Sequence, residues 1–372
     1  MRELDVLLTG DVILDEPDPD HWLSGLREVM AGADLTIGHL EVPHTTGGTE
    51  SSADVPAPAA EPAHLDALPR AGFAAMTLAG NHIADRGAAG IADTITALER
   101  LGLAHCGAGP SLAAARRPAS LLRNGVRIAL LSYNCVGPES GWAGLDKAGC
   151  AFVRVEPREG GPISPSADLE RLDVRSVAEL TADIGRARSH ADLLIVALHK
   201  GIVHRPAELA PYERPLAHAA IDAGADAVVS HHAHIIRGIE IYRGRPIYHG
   251  LGNGCVVTRA LSLDQTHPKR AEWARRRREL FGFEPDPAYP LAPFHPEAIH
   301  AMMARLHYRD GSLAAGFVPI HIEPPGRPVV PSPQQALRTV RYLADITARA
   351  AMPPLDWEMR RDRVLLHGIS IQ

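Results

Sequence analysis

Five short apolar runs, each followed at once by a cluster of polar residues, constrain the fold of this chain more than any other feature. The runs cover residues 4–8, 33–37, 73–78, 193–198 and 225–229. Each run is bounded by turn residues, a pattern that predicts a buried β-strand. Because open α/β sheets place their sites at the carboxyl ends of strands, we expect the five clusters to converge.

The residues in these clusters are of the types that bind metal ions. The clusters are Thr9-Gly10-Asp11, His39-Leu40-Glu41, Gly80-Asn81-His82 with Asp85 behind it, Leu198-His199-Lys200-Gly201, and His231-His232-Ala233-His234. One such residue after a strand is more often a turn former or a satisfied polar group. Five clusters of mixed oxygen and nitrogen donors, without thiolates, instead suit a divalent cation. The sequence therefore predicts a metal site.

Composition narrows the class of protein. The 372 residues carry a net charge of -6, which gives no general affinity for nucleic acid or for an anionic membrane surface. No signal peptide or membrane span is evident, and the four cysteines are scattered, as in a reduced cytoplasmic protein. The clusters span residues 11–234 with no Gly/Ser linker between them, so we expect residues 1–372 to form a single domain.

Periodicity predicts the remaining elements. Helices are predicted at residues 20–30, 90–101, 176–187, 212–223 and 333–350, and strands at 127–133, 238–242, 245–248, 301–308, 317–322 and 364–367. Residues 136–172 are predicted to form a long surface loop, and residues 259–299 an irregular segment. A basic run within that segment, from Lys269 to Arg278, is predicted to be a solvated helix face, with an anion or peptide-carboxylate contact as the alternative.

In order and spacing, the five clusters resemble the motifs of the calcineurin-like metallophosphoesterase superfamily, in its branch that contains the capsule polyglutamate synthesis protein CapA. The likeness extends through Gly238-Ile239-Glu240, Tyr248 and Leu251-Gly252-Asn253. It implies an α/β fold, a four-layer α-β-β-α sandwich with the metal at the sheet ends. The implied metal ligands are Asp11, Glu41, Asn81, His199, His232 and His234. His82, with Asp85 one helical turn on, falls where phosphoesterases keep a catalytic histidine.

The chain departs from the pattern of this branch at four positions. Relatives usually have Asn where His39 and Gly80 stand, Trp where Lys200 stands, and Phe where Gly254 stands. Two bulky groups are thus lost and two ionisable groups gained, an exchange that permits a larger substrate and more proton-transfer chemistry.

At this level of detail the chain is similar to the cytosolic epimerases of lasso-peptide biosynthesis. That likeness implies a metal-dependent isomerase that inverts the Cα centre of the C-terminal residue of a ribosomal precursor peptide, its partner. Inversion needs two proton carriers and an electrophile such as Ca²⁺, Mn²⁺ or Zn²⁺. We assign one carrier to His82 with Asp85, and the second to His295 of segment 259–299, oriented by Asp11.

Other assignments stay open at this point. His39, His204 and His249 are lesser candidates for the second carrier. A phosphoesterase of the ordinary superfamily type and a CapA-type protein that handles a polyglutamate polymer are the alternative functions, because a fold alone does not fix a function.

Overall fold

The computed structural model describes residues 2–50, 59–262, 264–360 and 363–369. The strands are β1 (Glu3–Leu14), β2 (Leu35–Leu40), β3 (Phe73–Thr77), β4 (Ala104–Cys106), β5 (Ala108–Gly109), β6 (Ala119–Arg123), β7 (Val126–Asn134), β8 (Gly149–Cys150), β9 (Val155–Pro157), β10 (Leu169–Leu172), β11 (Leu193–His199), β12 (Ala227–His231), β13 (Ile239–Tyr242), β14 (Arg245–Tyr248), β15 (Asn253–Val257), β16 (His300–Arg309), β17 (Ser312–Glu323), β18 (Arg327–Val329), β19 (Trp357–Arg360) and β20 (Arg363–Leu366). The α-helices are α1 (Pro19–Leu23), α2 (Arg27–Ala31), α3 (Ala67–Ala71), α4 (Gly87–Arg100), α5 (Leu112–Ala115), α6 (Val174–Arg188), α7 (Glu213–Asp222), α8 (Pro268–Phe281) and α9 (Pro333–Arg349). Short 3-10 helices cover Pro62–Asp66, Glu139–Gly141 and Pro296–Ile299.

Two large sheets carry the fold. The first has ten strands in the order β19-β20-β17-β16-β1-β2-β3-β4, with β15 beside β1 and β18 beside β17. The second has six strands in the order β13-β14-β12-β11-β7-β6. Strands β1, β2, β3 and β4 run parallel, as do β7, β11, β12 and β14, so their carboxyl ends share one edge in each sheet.

The two sheets pack face to face through alternate side chains. Val6 and Leu8 of β1 lie in the same buried cluster as Ile195 of β11. Leu7, which points to the other face of β1, belongs to a second cluster that also holds helix residues. Helices α3 and α4 pack against the ten-stranded sheet, and α6 and α7 against the six-stranded sheet. The predicted four-layer α-β-β-α order is confirmed.

Strand β1 is irregular where it reaches the first cluster. Its pairing with β2 shifts register between Leu8 and Asp11, and its pairing with β15 shifts between Asp11 and Val12. Gly10 is needed at this break because a Cβ there would stand 1.8 Å from the carbonyl oxygen of Gly252. The close approach of the two backbones fixes the position of Asp11.

Two predicted elements differ from the structure, and the helix expected for the basic run of segment 259–299 is present. The helix expected at residues 20–30 is two short helices, α1 and α2, because Gly25 packs against the backbone of Pro328, where a Cβ would stand 2.4 Å from its carbonyl oxygen. The loop expected at residues 136–172 contains β8, β9 and β10, which are too short to give a periodic pattern. Segment 259–299 contains the 14-residue helix α8. The prediction that residues 1–372 form one domain stays a prediction.

No helix in the described ranges is long and apolar enough to cross a bilayer.

Candidate metal centre

The five clusters converge where the strand ends of the two sheets meet. Asp11 of β1 is in register with His39 of β2, and His199 of β11 with His231 of β12. The backbone N–H of His232 donates to both carboxylate oxygens of Asp11, at 3.4 and 3.3 Å. This contact joins the two sheets at one buried point.

Two groups of side chains at this point are each able to hold a metal ion, and Asp11 belongs to both. Asp11, His39 and His199 form the first group; Asp11, Glu41 and His234 form the second. Within each group the ligand atoms lie within 4.8 Å of one another, and all of these residues are buried. Carboxylates and imidazoles are donors that divalent cations accept in proteins.

The other two predicted ligands lie in the same cluster. Nε2 of His199 is 2.7 Å from Oδ1 of Asn81, and the rings of His199 and His232 are 4.8 Å apart. The structure thus brings together all six residues predicted from the sequence, Asp11, Glu41, Asn81, His199, His232 and His234. It adds His39, which the sequence analysis had placed in the second cluster and among the lesser proton carriers but not among the implied ligands. Its place in that cluster was the sequence signal, and its register with Asp11 brings it into the site.

His39 and Gly80, two of the positions expected to differ from relatives, lie next to each other. A Cβ on residue 80 would stand 3.1 Å from Nε2 of His39 and 3.6 Å from Cε1 of His199. A larger side chain at position 80 would therefore collide with the imidazole of His39 in this closely packed interior. The pair of departures adds a candidate ligand and opens no space for substrate.

Gly254 also opens no space. A Cβ there would stand 2.8 Å from the carbonyl oxygen of Gly10, so residue 254 faces the backbone of β1. The expectation that this departure enlarges the substrate pocket is wrong.

Several buried nitrogen atoms in the cluster have no hydrogen-bond partner among the described residues. They are Nε2 of His39, Nδ1 of His199, and both ring nitrogens of His232. Unpartnered buried polar atoms are rare in folded proteins and cost free energy. A cation bound by one nitrogen of each ring would satisfy three of these atoms, so the donor set fits a divalent metal.

The protonation states of three of the four imidazoles, those of His39, His199 and His232, agree with this fit. Burial lowers the pKa of His39 and of His199 well below the ordinary value, and it lowers the pKa of His232 to about 3. A neutral imidazole presents the lone pair that binds a metal. Burial also lowers the pKa of His234, but the adjacent Glu41 carboxylate outweighs it and raises that pKa to about 9.

The predicted His82–Asp85 pair is present. Nδ1 of His82 lies 2.8 Å from Oδ2 of Asp85, and the two side chains are buried. The bond orients the imidazole of His82. His82 also lines the pocket described below.

Asp11 and His295, in contrast, do not form the expected pair. Nδ1 of His295 accepts the N–H of Glu297 at 3.1 Å, and its ring packs edge-on against Phe283 at 5.0 Å. Within the described ranges, no hydrogen bond or ion pair joins His295 to Asp11. The carboxylate of Asp11 is instead held by the N–H of His232 inside the ligand cluster. Asp11 therefore does not orient His295. Asp11 remains a candidate metal ligand, and His295 remains a candidate proton carrier.

A pocket of about 840 Å³ opens beside the cluster. Its lining includes His82, His232 and His234 from the centre, and Trp273 and Phe281 from α8. Phe294, beyond α8, stacks on His234 with 4.7 Å between ring centroids. Parts of segment 259–299 thus lie against the centre.

The basic run of α8 is largely a solvated face, as predicted. Arg275, Arg276 and Arg278 are exposed and form ion pairs with nearby glutamates. Arg277 differs because it is buried and donates to the carbonyl oxygens of Pro293 and Leu261. It holds the segment together.

Lys200 lies outside the pocket, in a buried charge network. Its Nζ is 2.7 Å from Oε2 of Glu213 and 3.3 Å from Nδ1 of His249. Arg237 places a second cation 3.2 Å from Oε1 of Glu213, and all three charged side chains are fully buried. Nε2 of His249 is 3.2 Å from Glu240. Lys200 and His249 therefore have structural partners, and the expectation that Lys200 adds proton-transfer chemistry at the site is wrong.

We expect Glu213→Gln to destabilise the protein by about 3–5 kcal/mol, because it leaves two buried cations without their counter-charge. Burial raises the pKa of Glu213, but Lys200 and Arg237 outweigh it and hold that pKa below its usual value. Urea unfolding would measure the loss. The matched control is Glu179→Gln, which removes a partly exposed partner of Arg116 and should cost little. Equal stabilities of the two variants would contradict the prediction.

Comparison with known sequences gives three findings. The sequence profile of a family described as bacterial capsule synthesis protein PGA_cap matches residues 5–256. The PGA biosynthesis protein CapA of Bacillus subtilis (strain 168) is 28% identical over 272 residues, which cover 69% of this chain and 64% of the relative. A probable polyglutamine synthesis accessory protein of Mycobacterium tuberculosis (strain H37Rv) is 32% identical over 246 residues, 64% of this chain and 60% of the relative. The chain spans less than two thirds of the length of these relatives.

Among solved structures, the calcineurin-like phosphoesterase YfkN from Bacillus subtilis matches 94% of this chain and 99% of its own, with 12% identity and a TM-score of 0.40.

Proposed function

The chain belongs to the bacterial capsule synthesis protein PGA_cap family, and from this we propose that it is a metal-dependent enzyme that acts on a peptide chain. The names of the relatives, which refer to PGA and polyglutamine synthesis, favour a peptide-like polymer as the class of substrate. The observation that carries the proposal is the buried cluster around Asp11, which opens into a pocket that also holds the His82–Asp85 pair.

For the reaction, we propose inversion of the Cα centre of the C-terminal residue of a precursor peptide. Removing a proton from one face of the carbon and returning one to the other requires two carriers. His82 has the geometry of one carrier, because Asp85 orients its ring at the pocket wall. His295 is the proposed second carrier. His204 remains an alternative because it lines the same pocket.

Asp11, Glu41, Asn81, His199, His232 and His234, with His39, would hold the cation. When bound, a divalent cation would polarise the carboxyl group of the C-terminal residue and so make the neighbouring Cα–H more acidic. Carboxylate and amide oxygens suit Ca²⁺ or Mn²⁺, whereas the imidazoles suit Mn²⁺ or Zn²⁺.

Two other functions are favoured by particular observations. The family membership and the names of the relatives favour a CapA-type role in handling a glutamate polymer, and on the comparisons alone this role has the stronger support. Two ligand groups that share Asp11 favour phosphoester hydrolysis, since paired metals clamp such substrates.

We expect the protein to introduce solvent deuterium at Cα of the C-terminal residue when a candidate precursor peptide is incubated with it in heavy water. The two-carrier mechanism predicts one deuteron per inversion, whichever stereoisomer is supplied. Mass spectrometry and chiral analysis of the hydrolysed residue would measure both quantities.

Parallel assays separate the alternatives. Turnover of a chromogenic phosphodiester should be negligible beside reaction of the peptide. Fast phosphodiester turnover would favour hydrolysis, and binding of a glutamate polymer with neither exchange nor hydrolysis would favour the polymer-handling role. Inversion without solvent label would overturn the two-carrier mechanism.

A further inference from the structure

One wall of the pocket is formed by residues 201–212, here called the wall loop. It connects the end of β11 to the start of α7 and contains no helix or strand. Most of its residues line the pocket, among them Gly201, His204, Arg205, Glu208 and Tyr212. A substrate that reaches the metal centre through the pocket must therefore pass along this loop.

The buried charge network fixes the backbone of the wall loop. The guanidinium of Arg237 donates to the carbonyl oxygens of Ile202 and Glu208. Glu213 accepts the N–H of Ala210 at 2.8 Å while it also holds Arg237. Two buried cations on one carboxylate are weak evidence for stability, because desolvation offsets their attraction. Here the network has another evident use, which is to hold an irregular loop in one conformation.

His204 is held in place at the centre of this loop. It has a φ of 59°, which is uncommon for a residue with a side chain. Its N–H donates to the carbonyl oxygen of Ala233 at 3.0 Å. Its ring lies 5.1 Å from Phe281, 5.0 Å from Phe283 and 5.8 Å from Phe294. The backbone of the next residue, Arg205, is therefore positioned by contacts on both sides of the loop.

Arg205 carries the pocket's uncommitted positive charge. Of the other two arginines in the lining, Arg158 pairs with Asp168 at 2.9 Å, and Arg276 pairs with a glutamate of its own helix at 3.2 Å. The side chain of Arg205 is exposed at the pocket, and no ion pair involves it in the described part of the chain. Glu208 lies on the same loop, yet it is not paired with Arg205.

We propose that Arg205 binds a carboxylate of the peptide substrate, at a position remote from the carbon that reacts. A guanidinium matches a carboxylate through two parallel hydrogen bonds, which lysine cannot reproduce. The aromatic side chains of Trp273 and Phe281, which line the same pocket, supply apolar surface for the rest of the peptide segment. This inference rests on the proposed function, in that it takes the substrate to be a peptide; it adds that acidic peptides are preferred.

Calorimetric titration with tetraglutamate and with tetraglutamine tests the inference without a need for turnover. We expect the unaltered protein to bind tetraglutamate at least about tenfold more tightly than tetraglutamine, as for a charge-assisted hydrogen bond. Arg205→Gln should remove most of that preference and leave the affinity for tetraglutamine unchanged. Arg205→Lys should restore only part of it, because the charge returns without the paired geometry.

Arg278→Gln is the matched control. Arg278 is an exposed arginine of α8 that pairs with Glu284 and does not belong to the pocket lining. This variant should keep the full preference for tetraglutamate. Inorganic phosphate as a competitor tests the other source of anionic oxygen. If Arg205→Gln weakens phosphate binding but leaves the preference for tetraglutamate intact, the site is a phosphate site and the proposal is overturned.

The remaining outcomes separate this inference from the proposed function. If the unaltered protein binds neither peptide, a peptide substrate is excluded and both proposals fail. If it binds the peptides and Arg205→Gln leaves the preference intact, only the role of Arg205 is overturned.

Discussion

Asp11→Ala is expected to remove the bound divalent ion from the purified protein and to lower its activity by at least about 100-fold. Loss of a group that only orients a ligand already costs about 10- to 100-fold, and Asp11 is itself a member of both ligand groups. No other residue of the described chain belongs to both groups, so no neighbouring carboxylate can substitute for it in each. Elemental analysis after dialysis would measure the metal content, and the peptide assay would measure the activity.

Two further variants make this result interpretable. Asp11→Asn keeps an oxygen that can accept the N–H of His232, so it should fold while binding metal weakly. Asp15→Ala is the control. It removes a carboxylate that accepts the hydroxyl of Thr258 at 2.7 Å and belongs to neither ligand group, so this variant should retain the metal. Full metal content and activity in Asp11→Ala would contradict the assignment of the centre.

The strand ends and the polar clusters that follow them were predictable because they depend on local pattern. A short apolar run followed by Asp, Asn or His specifies both a buried strand and the residue at its carboxyl end. The convergence of Asp11 and Asn81 follows from parallel strands of one sheet, whose ends share an edge. His199 ends a strand of the other sheet, so its approach to Asp11 depends on how the two sheets pack. The choice of the six ligands came from the resemblance to the branch that contains CapA.

The wrong predictions concern the partners of individual side chains. Lys200 stands where relatives were expected to have Trp, which suggested proton-transfer chemistry, but Glu213 pairs with it in the core. His295 was paired with Asp11 on grounds of function, whereas its nitrogen is used locally by Glu297. Such pairings depend on rotamers and on packing between distant segments, and no periodicity in the sequence records them.

The short elements were missed for a related reason. Strands β5 and β8 have two residues each, and they exist because their partners hold them. Helices α1 and α2 have a continuous helical pattern, yet the packing of Gly25 against Pro328 separates them. In both cases tertiary contacts override the local preference.

His82→Asn is expected to lower the rate of Cα inversion by about 10²- to 10⁴-fold, the usual cost of losing an acid/base group. The asparagine amide can still donate a hydrogen bond towards Asp85, as Nδ1 of His82 does over 2.8 Å in the structure. It has no group that can take up or release a proton at the pocket. His82 is not a member of either ligand group, so the metal content should not change.

Deuterium exchange distinguishes the loss of one carrier from a general loss of activity. With a single carrier left, the variant should exchange the Cα proton of one stereoisomer without inverting it, because the proton returns to the face from which it left. His307→Asn is the matched control, since His307 forms an exposed pair with Glu3 at 3.1 Å, and it should invert the peptide at the normal rate. If His82→Asn inverts both stereoisomers as fast as the unaltered protein, His82 is not a proton carrier. His295 and His204 would then have to serve the two faces of the carbon.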